Sequence, residues 1–276
     1  ARGVGRGRPA RPPGPRGRRG AGMAAELPLG RAVGAAERLR GNLLVLGGSG
    51  YVGAEVCRRA VAKGLAVTSL SRGGAPRGRP REPWMDHVSW RRGALLQPAV
   101  WRQLLPECSA VVSTVGVISP SNAEMRRVCG AANVLAIEEA RRAEVLRFAY
   151  VSAHDYRLPS AVLRGYFEGK REAEAALAQQ FPQGGVALRP GFIHGTRYVG
   201  GMRLPLQAVG APLELALGNA AARAASGLLP GFLGAALAPP VSVGAVAEAA
   251  LAAVADERVP AGIMDVWTIR EHTPAA

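Results

Sequence analysis

A chain of 276 residues with 48% apolar side chains and only three cysteines is long enough to bury a substantial core and is neither a disulfide-stapled miniature nor a wholly disordered polymer. The formal charge of +15 is concentrated at one end: residues 1–41 hold ten Arg and two Glu, the surplus elsewhere is thin, and Lys63 and Lys170 are the sole lysines. That distribution argues against a specific nucleic-acid surface, and Cys57, Cys108 and Cys129 lie too far apart for a zinc or redox motif.

Residues 1–22 carry seven Arg and no acid, so the 1–41 stretch is expected to be disordered. It reads either as an organelle-import leader or as a merely solvated tail. From Asn42 strand and helix signals alternate. LLVL at Leu43 to Leu46 is a first strand, residues 54–63 a helix, and LAVTSL at Leu65 to Leu70 a second strand. HVSW at His87 to Trp90 is a short third strand, AVVSTVG at Ala110 to Gly116 a fourth, and Ala123 to Arg142 a long helix. VLRFAYVS at Val145 to Ser152 is a fifth, Val162 to Gln180 a helix, GVALRP at Gly185 to Pro190 a sixth, and Ile263 to Ile269 a late strand. Strands separated by helical patterns predict βαβ units and an α/β domain over 42–276, with a mainly parallel sheet flanked by helices.

The stretch from Ala224 to Ala247 has no charge, but Pro230, Pro239 and Pro240 interrupt it, so no transmembrane helix is expected, since a span needs about 20 continuous apolar residues. Residues 197–243 read as an apolar lid, a substrate wall or a surface for peripheral membrane contact. The VSVGAVAEAALAAVAD run that closes this region returns to a helical pattern expected to cover the sheet.

The glycines at 48, 50 and 53 satisfy GxGxxG between the first strand and the first helix, the placement that lets a dinucleotide meet a helix amino end. Gly48 is expected to make the tight turn, Gly50 to admit the pyrophosphate and Gly53 to let the helix pack closely. Around them Gly47, Ser49, Tyr51 and Val52 complete the expected binding loop of a doubly wound, Rossmann-like sheet. An NAD site usually places an acid about 20 residues further on. Here Ser71-Arg72 occupies that point and no acid follows until Glu82, so Arg72, with Arg77 or Arg79 nearby, is expected to read a 2′-phosphate, favouring NADP(H) over NAD(H).

Tyr166 and Lys170 stand at i and i+4 at the start of a helix and so share a face. The lysine ammonium would lower the tyrosine pKa and hold the nicotinamide ribose, and the tyrosine would exchange a proton with an alcohol or carbonyl oxygen. The bland alternative is a surface helix pair.

With these residues in view, the chain resembles the extended and atypical short-chain dehydrogenases/reductases. The resemblance rests on Gly47-x-x-Gly50-x-x-Gly53, Ser113-Thr-Val-Gly116, Asn133-Val134, Tyr150-Val-Ser152, the Tyr166/Lys170 pair and Leu188-Arg-Pro-Gly-Phe-Ile-His-Gly195. Within them, VLGGSGYVG, SLSRGG, YVSA and GYFEGK look like an organellar subgroup that includes the dehydrogenase-like protein attached to mitochondrial ubiquinone synthesis and plastid counterparts. The NAD(P)H-binding accessory subunit of respiratory complex I is a more distant relative.

The resemblance implies that Gly47, Gly50 and Gly53 hold the pyrophosphate, and that Val115 and Gly116 lie on the adenosine side. It places Pro190 to Ile193, including Phe192, on the nicotinamide side, gives Asn133 structural support, and makes Tyr166 the acid/base and Lys170 its activator. It also implies a mitochondrial protein, with the chloroplast as alternative. Two positions depart from the pattern. Ala153 stands thirteen residues before Tyr166, where Ser or Thr is usual, flanked by Ser152 and His154, of which Ser152 is the candidate to bind the reacting oxygen. Arg92-Gly93-Ala94 replaces an adenine-contacting Asp. The expected function is NADP(H)-dependent hydride transfer to or from a carbonyl or hydroxyl of an apolar, quinone- or isoprenoid-related molecule, with no metal. The competing expectation is a non-catalytic nicotinamide-binding component of an organellar complex.

Overall fold

The computed structural model describes residues 41–156, 163–199, 201–229 and 236–273. The expected leader lies outside them except for Gly41, and the expected lid is described except for residues 200 and 230–235.

The core is a seven-stranded parallel sheet in the order β11-β6-β5-β4-β1-β2-β3. Its strands include β1 (Asn42–Leu46), β2 (Val67–Ser71), β3 (Val88–Arg92), β4 (Cys108–Ser113), β5 (Arg147–Val151), β6 (Gly185–Leu188) and β11 (Gly262–Met264). After Asn42, β1 is an unbroken apolar run because both sheet faces are covered. Leu43 and Val45 enter one core with Val56, Ala60, Val246 and Ala250, while Leu44 and Leu46 enter the other with Ile137, Phe148 and Leu177. The strand order reverses at β1, which opens a crevice beyond the carboxyl ends of β1 and β4, where such sheets bind ligands.

Helices α1 (Tyr51–Ala62) and α7 (Val243–Ala255) cover one face, and α3 (Ala132–Arg142) with α4 (Arg164–Gln180) cover the other. The Ala/Val-rich α7 buries nine of its positions and starts at Ser242, whose hydroxyl accepts the Ala245 amide at 3.0 Å. The helix expected over Ala123 to Arg142 is interrupted: α2 (Asn122–Arg126) passes through a π turn, Arg127–Ala131, into α3. The turn persists because its displaced carbonyls find partners. Asn133 Nδ2 donates to the Val128 and Cys129 oxygens at 3.1 and 3.0 Å, and the Tyr150 hydroxyl donates to the Cys129 oxygen at 3.0 Å.

The strand expected over Ile263 to Ile269 is corrected by the structure. β11 ends at Met264, and α8 (Val266–Glu271) begins because the Asp265 side chain accepts the Thr268 amide at 2.8 Å. Between β6 and α7 lie the short β7 (Ile193–His194), paired with β10 (Val241–Ser242), the antiparallel hairpin β8 (Thr196–Val199) and β9 (Met202–Pro205), and helices α5 (Gln207–Leu217) and α6 (Ala220–Leu228).

Candidate dinucleotide site

The turn after β1 is made by Gly47, which has φ +85°, and not by Gly48 as the spacing suggested. Gly48 is buried, and a Cβ there would stand 2.2 Å from Ser69 Oγ and 2.9 Å from Cys57 Sγ, so its role is to let the loop lie against β2 and α1. A Cβ at Gly53 would stand 2.3 Å from the Gly47 oxygen and 2.7 Å from Thr114 Oγ1, which is the close helix packing expected of it. Gly50 is exposed at the start of α1, and no side chain caps that helix. The leading amides of α1 are therefore left for an outside acceptor, and the helix dipole favours an anion there.

Beside this turn opens a cavity of about 480 Å³ lined by Gly47, Ser49, Gly50, Arg72, Val115 and Gly116 among others. Six of the residues expected to bind cofactor thus meet at one site. Tyr51, Val52, Gly48 and Gly53 are not part of its lining. Val52 packs against the core, and the buried Tyr51 hydroxyl, raised in pKa chiefly by desolvation, lies against Gly195 with the Arg197 guanidinium 6.0 Å from its ring centre.

The far wall runs from Gly93 through Gln97, and the near wall includes Val128, Ala132 and Arg127. Among the described residues no carboxylate lines the cavity, and the charges on its wall are the guanidiniums of Arg72 and Arg127. Among the described residues neither forms an ion pair, and both are exposed. Arg79 is committed elsewhere, to Glu82 at 2.6 Å and to the rings of Trp84 and Tyr198. Arg127 carried no distinguishing signal in so arginine-rich a sequence; the π turn is what presents it. A site of donors, positive charge and glycine cradle fits a dinucleotide carrying several phosphates.

At the other end of Val115-Gly116 lies Lys170. It is 3% exposed, and its Nζ donates to the Val151 oxygen at 2.7 Å and more distantly to the Val115 oxygen at 3.5 Å. Its ammonium stands 4.7 Å from the ring centre of Tyr150 and 5.7 Å from that of Tyr166. A Cβ at Gly116 would come within 3.2 Å of Nζ, so this glycine permits the approach. Burial pushes the Lys170 pKa down to about 8. The expectation that the lysine lowers the Tyr166 pKa is not met: burial dominates and pushes the phenol up to about 12.

Ser152, expected to hold the reacting oxygen, is instead buried with its hydroxyl donating to Glu174 Oε1 at 2.5 Å. Strand alternation explains it. Phe148 and Tyr150 face the α3/α4 side, and Ser152 continues that face. Glu174 also pairs with Arg171 and, at 2.6 Å, with Arg189 Nη2, so Ser152 belongs to a network joining the ends of β5 and β6 to α4. The Glu174 carboxyl is held below its usual pKa because these hydrogen bonds and charges outweigh its desolvation. Ala153 is buried, its oxygen accepting from Arg171 Nη2 at 2.6 Å. The His154 amide donates to the Pro190 oxygen at 2.8 Å, and its ring packs edge-on to Tyr156. Pro190 is buried, Phe192 is 46% exposed and Ile193 pairs with Val241; none of the three lines the cavity.

The comparisons agree with this geometry. The NAD(P)H-binding family matches residues 47–197. An uncharacterized chloroplastic protein of Arabidopsis thaliana is 40% identical over 243 residues, covering 85% of this chain and 77% of its own length. MIOREX complex component 2 of Saccharomyces cerevisiae is 34% identical over 80 residues, covering 28% of this chain and 29% of its own. Among solved structures, the Bordetella bronchiseptica enzyme WbmH in complex with NAD+ superposes with a TM-score of 0.57 at 17% identity, covering 82% of this chain and 74% of that one. A UDP-N-acetylglucosamine 4-epimerase of Methanobrevibacter ruminantium gives a TM-score of 0.58 at 13% identity, covering 82% and 76%. The fold is thus the Rossmann-like α/β fold of extended short-chain dehydrogenases/reductases and epimerases. The chain belongs to the NAD(P)H-binding family.

Proposed function

We propose that this protein is an NADP(H)-dependent oxidoreductase of an organelle, acting on a carbonyl or hydroxyl group of an apolar molecule. The observation that carries the reading is Lys170: a buried cation held by backbone carbonyls, beside Gly116 at the cavity and one helical turn from Tyr166. The nicotinamide ring, when bound, supplies or accepts hydride. Gly47, Ser49 and Gly50 with the first amides of α1 would hold the pyrophosphate, Val115 and Gly116 would border the dinucleotide, and Arg72 would pair with a 2′-phosphate. In the reducing direction the Tyr166 hydroxyl gives its proton to the substrate oxygen as that oxygen gains charge, and in the oxidising direction the phenolate takes it back. The Lys170 ammonium would orient the nicotinamide ribose beside the tyrosine, which burial keeps protonated as the proton donor. A chloroplastic relative and a yeast relative named for a complex support an organellar location; the mitochondrion is our choice, and quinone- or isoprenoid-related compounds are the substrate class to test first.

A second reading has an observation in its favour. Ser152 is committed to Glu174 and Ala153 has no side-chain hydrogen-bonding group at the neighbouring position, which suits a nicotinamide-binding component of an organellar assembly. Turnover of a panel of quinones and ketones by the wild type and Tyr166→Phe separates the two. The oxidoreductase reading expects activity in the wild type and a loss of at least about 100-fold in the variant; equal rates would remove Tyr166 from the chemistry. Arg72→Ala should weaken NADPH by about 10- to 100-fold and leave NADH nearly unchanged, the value of a charge-assisted hydrogen bond. An equal effect on both cofactors would reject Arg72 as the phosphate reader.

A further inference from the structure

Helix α5 is inverted relative to an ordinary surface helix. Its inward face carries Gly210, where a Cβ would collide with the His194 side chain, and Glu214, which meets His194 Nε2 at 2.5 Å and Arg270 Nε at 3.4 Å. Arg270 Nη1 also donates to the Gly218 oxygen at 2.7 Å, closing the end of the helix. The outward face is apolar: Val209 is 64% exposed, Leu213 45% and Leu215 84%. A soluble helix places these two sets the other way round.

The neighbouring elements continue the pattern. All four residues of β9 are exposed, Met202 by 66%, and Leu228 at the end of α6 is 85% exposed. Seven of the twelve large apolar side chains exposed among the described residues fall between Met202 and Leu229, so exposure is concentrated in this segment and not scattered. Its charges are equally one-sided. The exposed ones are Arg203 and Arg223, while the lone acid, Glu214, is turned inward and paired.

We propose that β9, α5 and α6 form a surface that lies on a phospholipid bilayer carrying anionic headgroups. The apolar face of α5 enters the headgroup boundary, and Arg203 and Arg223 meet the lipid phosphates. The His194-Glu214-Arg270 cluster holds the polar side of the helix to the protein while its apolar side faces outward. This docking does not depend on the nicotinamide chemistry.

Vesicle flotation of the full chain tests it, with vesicles of phosphatidylcholine alone and of phosphatidylcholine with cardiolipin. Wild type should float with the cardiolipin vesicles and weakly or not at all with the neutral ones. The double variant V209D/L213D should lose about tenfold or more of that binding, with its circular dichroism, melting temperature and NADPH affinity unchanged. R203E/R223E, which leaves the apolar face intact, should lose the preference for cardiolipin. Undiminished flotation of V209D/L213D would assign binding to another part of the chain, such as the basic residues before 41, and overturn the proposal. So would failure of the wild type to float, including the case where sedimentation shows a dimer that V209D/L213D dissociates, since the face would then belong to a second copy.

Discussion

Replacing Lys170 with Met should change how stability depends on pH, by an amount that follows from the burial of the ammonium. The group is 3% exposed, and its pKa falls from 10.5 to about 8 on folding because burial penalises the charge. Between those values the unfolded chain holds more protons than the folded one, so the free energy of unfolding rises with pH through the window. The whole difference is worth about 3 kcal/mol, of which about 2 kcal/mol is recovered between pH 8 and pH 10. Other groups push the opposite way. The Cys57 and Cys108 thiols and the Tyr166 phenol, each raised to about 12 by burial, make the folded state retain protons and lose stability as the solution becomes alkaline. That contribution is common to wild type and Lys170→Met, so the difference between them isolates the lysine. Urea unfolding followed by tryptophan fluorescence would show wild type gaining on the variant by about 0.7 M in midpoint over this range, for a slope of about 3 kcal/mol/M. A difference that stays flat from neutral to alkaline pH would refute the picture of a buried, unpaired cation.

Gly53→Ala should lower the melting temperature and cut NADPH affinity at least about tenfold, because its methyl would meet the Gly47 oxygen at 2.3 Å and overpacking costs roughly 1–3 kcal/mol; thermal shift and fluorescence titration check both. Ser152→Ala should lose about 1.5–3 kcal/mol of stability, the range for a hydrogen bond to a charged group, with kcat unchanged, and a fall in kcat at constant stability would restore the serine to the chemistry. Glu174→Gln should flatten the acid limb of the stability curve. Its carboxyl is held below the ordinary value of 4.5, so its contribution is present above that value and lost as pH falls through the lower folded value. Equal acid limbs in urea titrations would argue against the network.

The parallel sheet was legible because the apolar runs of β1 and β4 and the β-branched start of β2 alternate with helices, a pattern with few other solutions. The turn glycine was not. Gly47 and Gly48 are adjacent, so both fit overlapping glycine spacings, and only the backbone angle at Gly47 separates them. The end of the chain was misread because Ile263 to Ile269 is apolar enough for a strand, whereas Asp265 and Thr268 spell a helix cap inside it. The orientation of Ser152 was available in principle, since it shares a strand face with Tyr150. Arg127 was not, because nothing local distinguishes it from the arginines around it and its position depends on the π turn, whose support from Asn133 and Tyr150 comes from distant parts of the chain.

The two ends of the crevice are built on different principles, and the contrast bears on enzyme against scaffold. The cavity end needs little beyond glycines, helix amides and two arginines, and a protein that merely held a dinucleotide would need no more. Lys170 adds a cost that holding alone does not explain. Glu174, one turn further along α4, is engaged with Arg171 and Arg189, so among the described residues no carboxylate salt-bridges the lysine. Its ammonium has three donors, and the structure gives it two carbonyls, the Val115 one at 3.5 Å. A buried cation with no carboxylate in direct contact and with donor capacity to spare is unfavourable unless another group completes it. A ribose hydroxyl beside Tyr166 is the kind of acceptor that would, which is the role the proposed function gives the lysine.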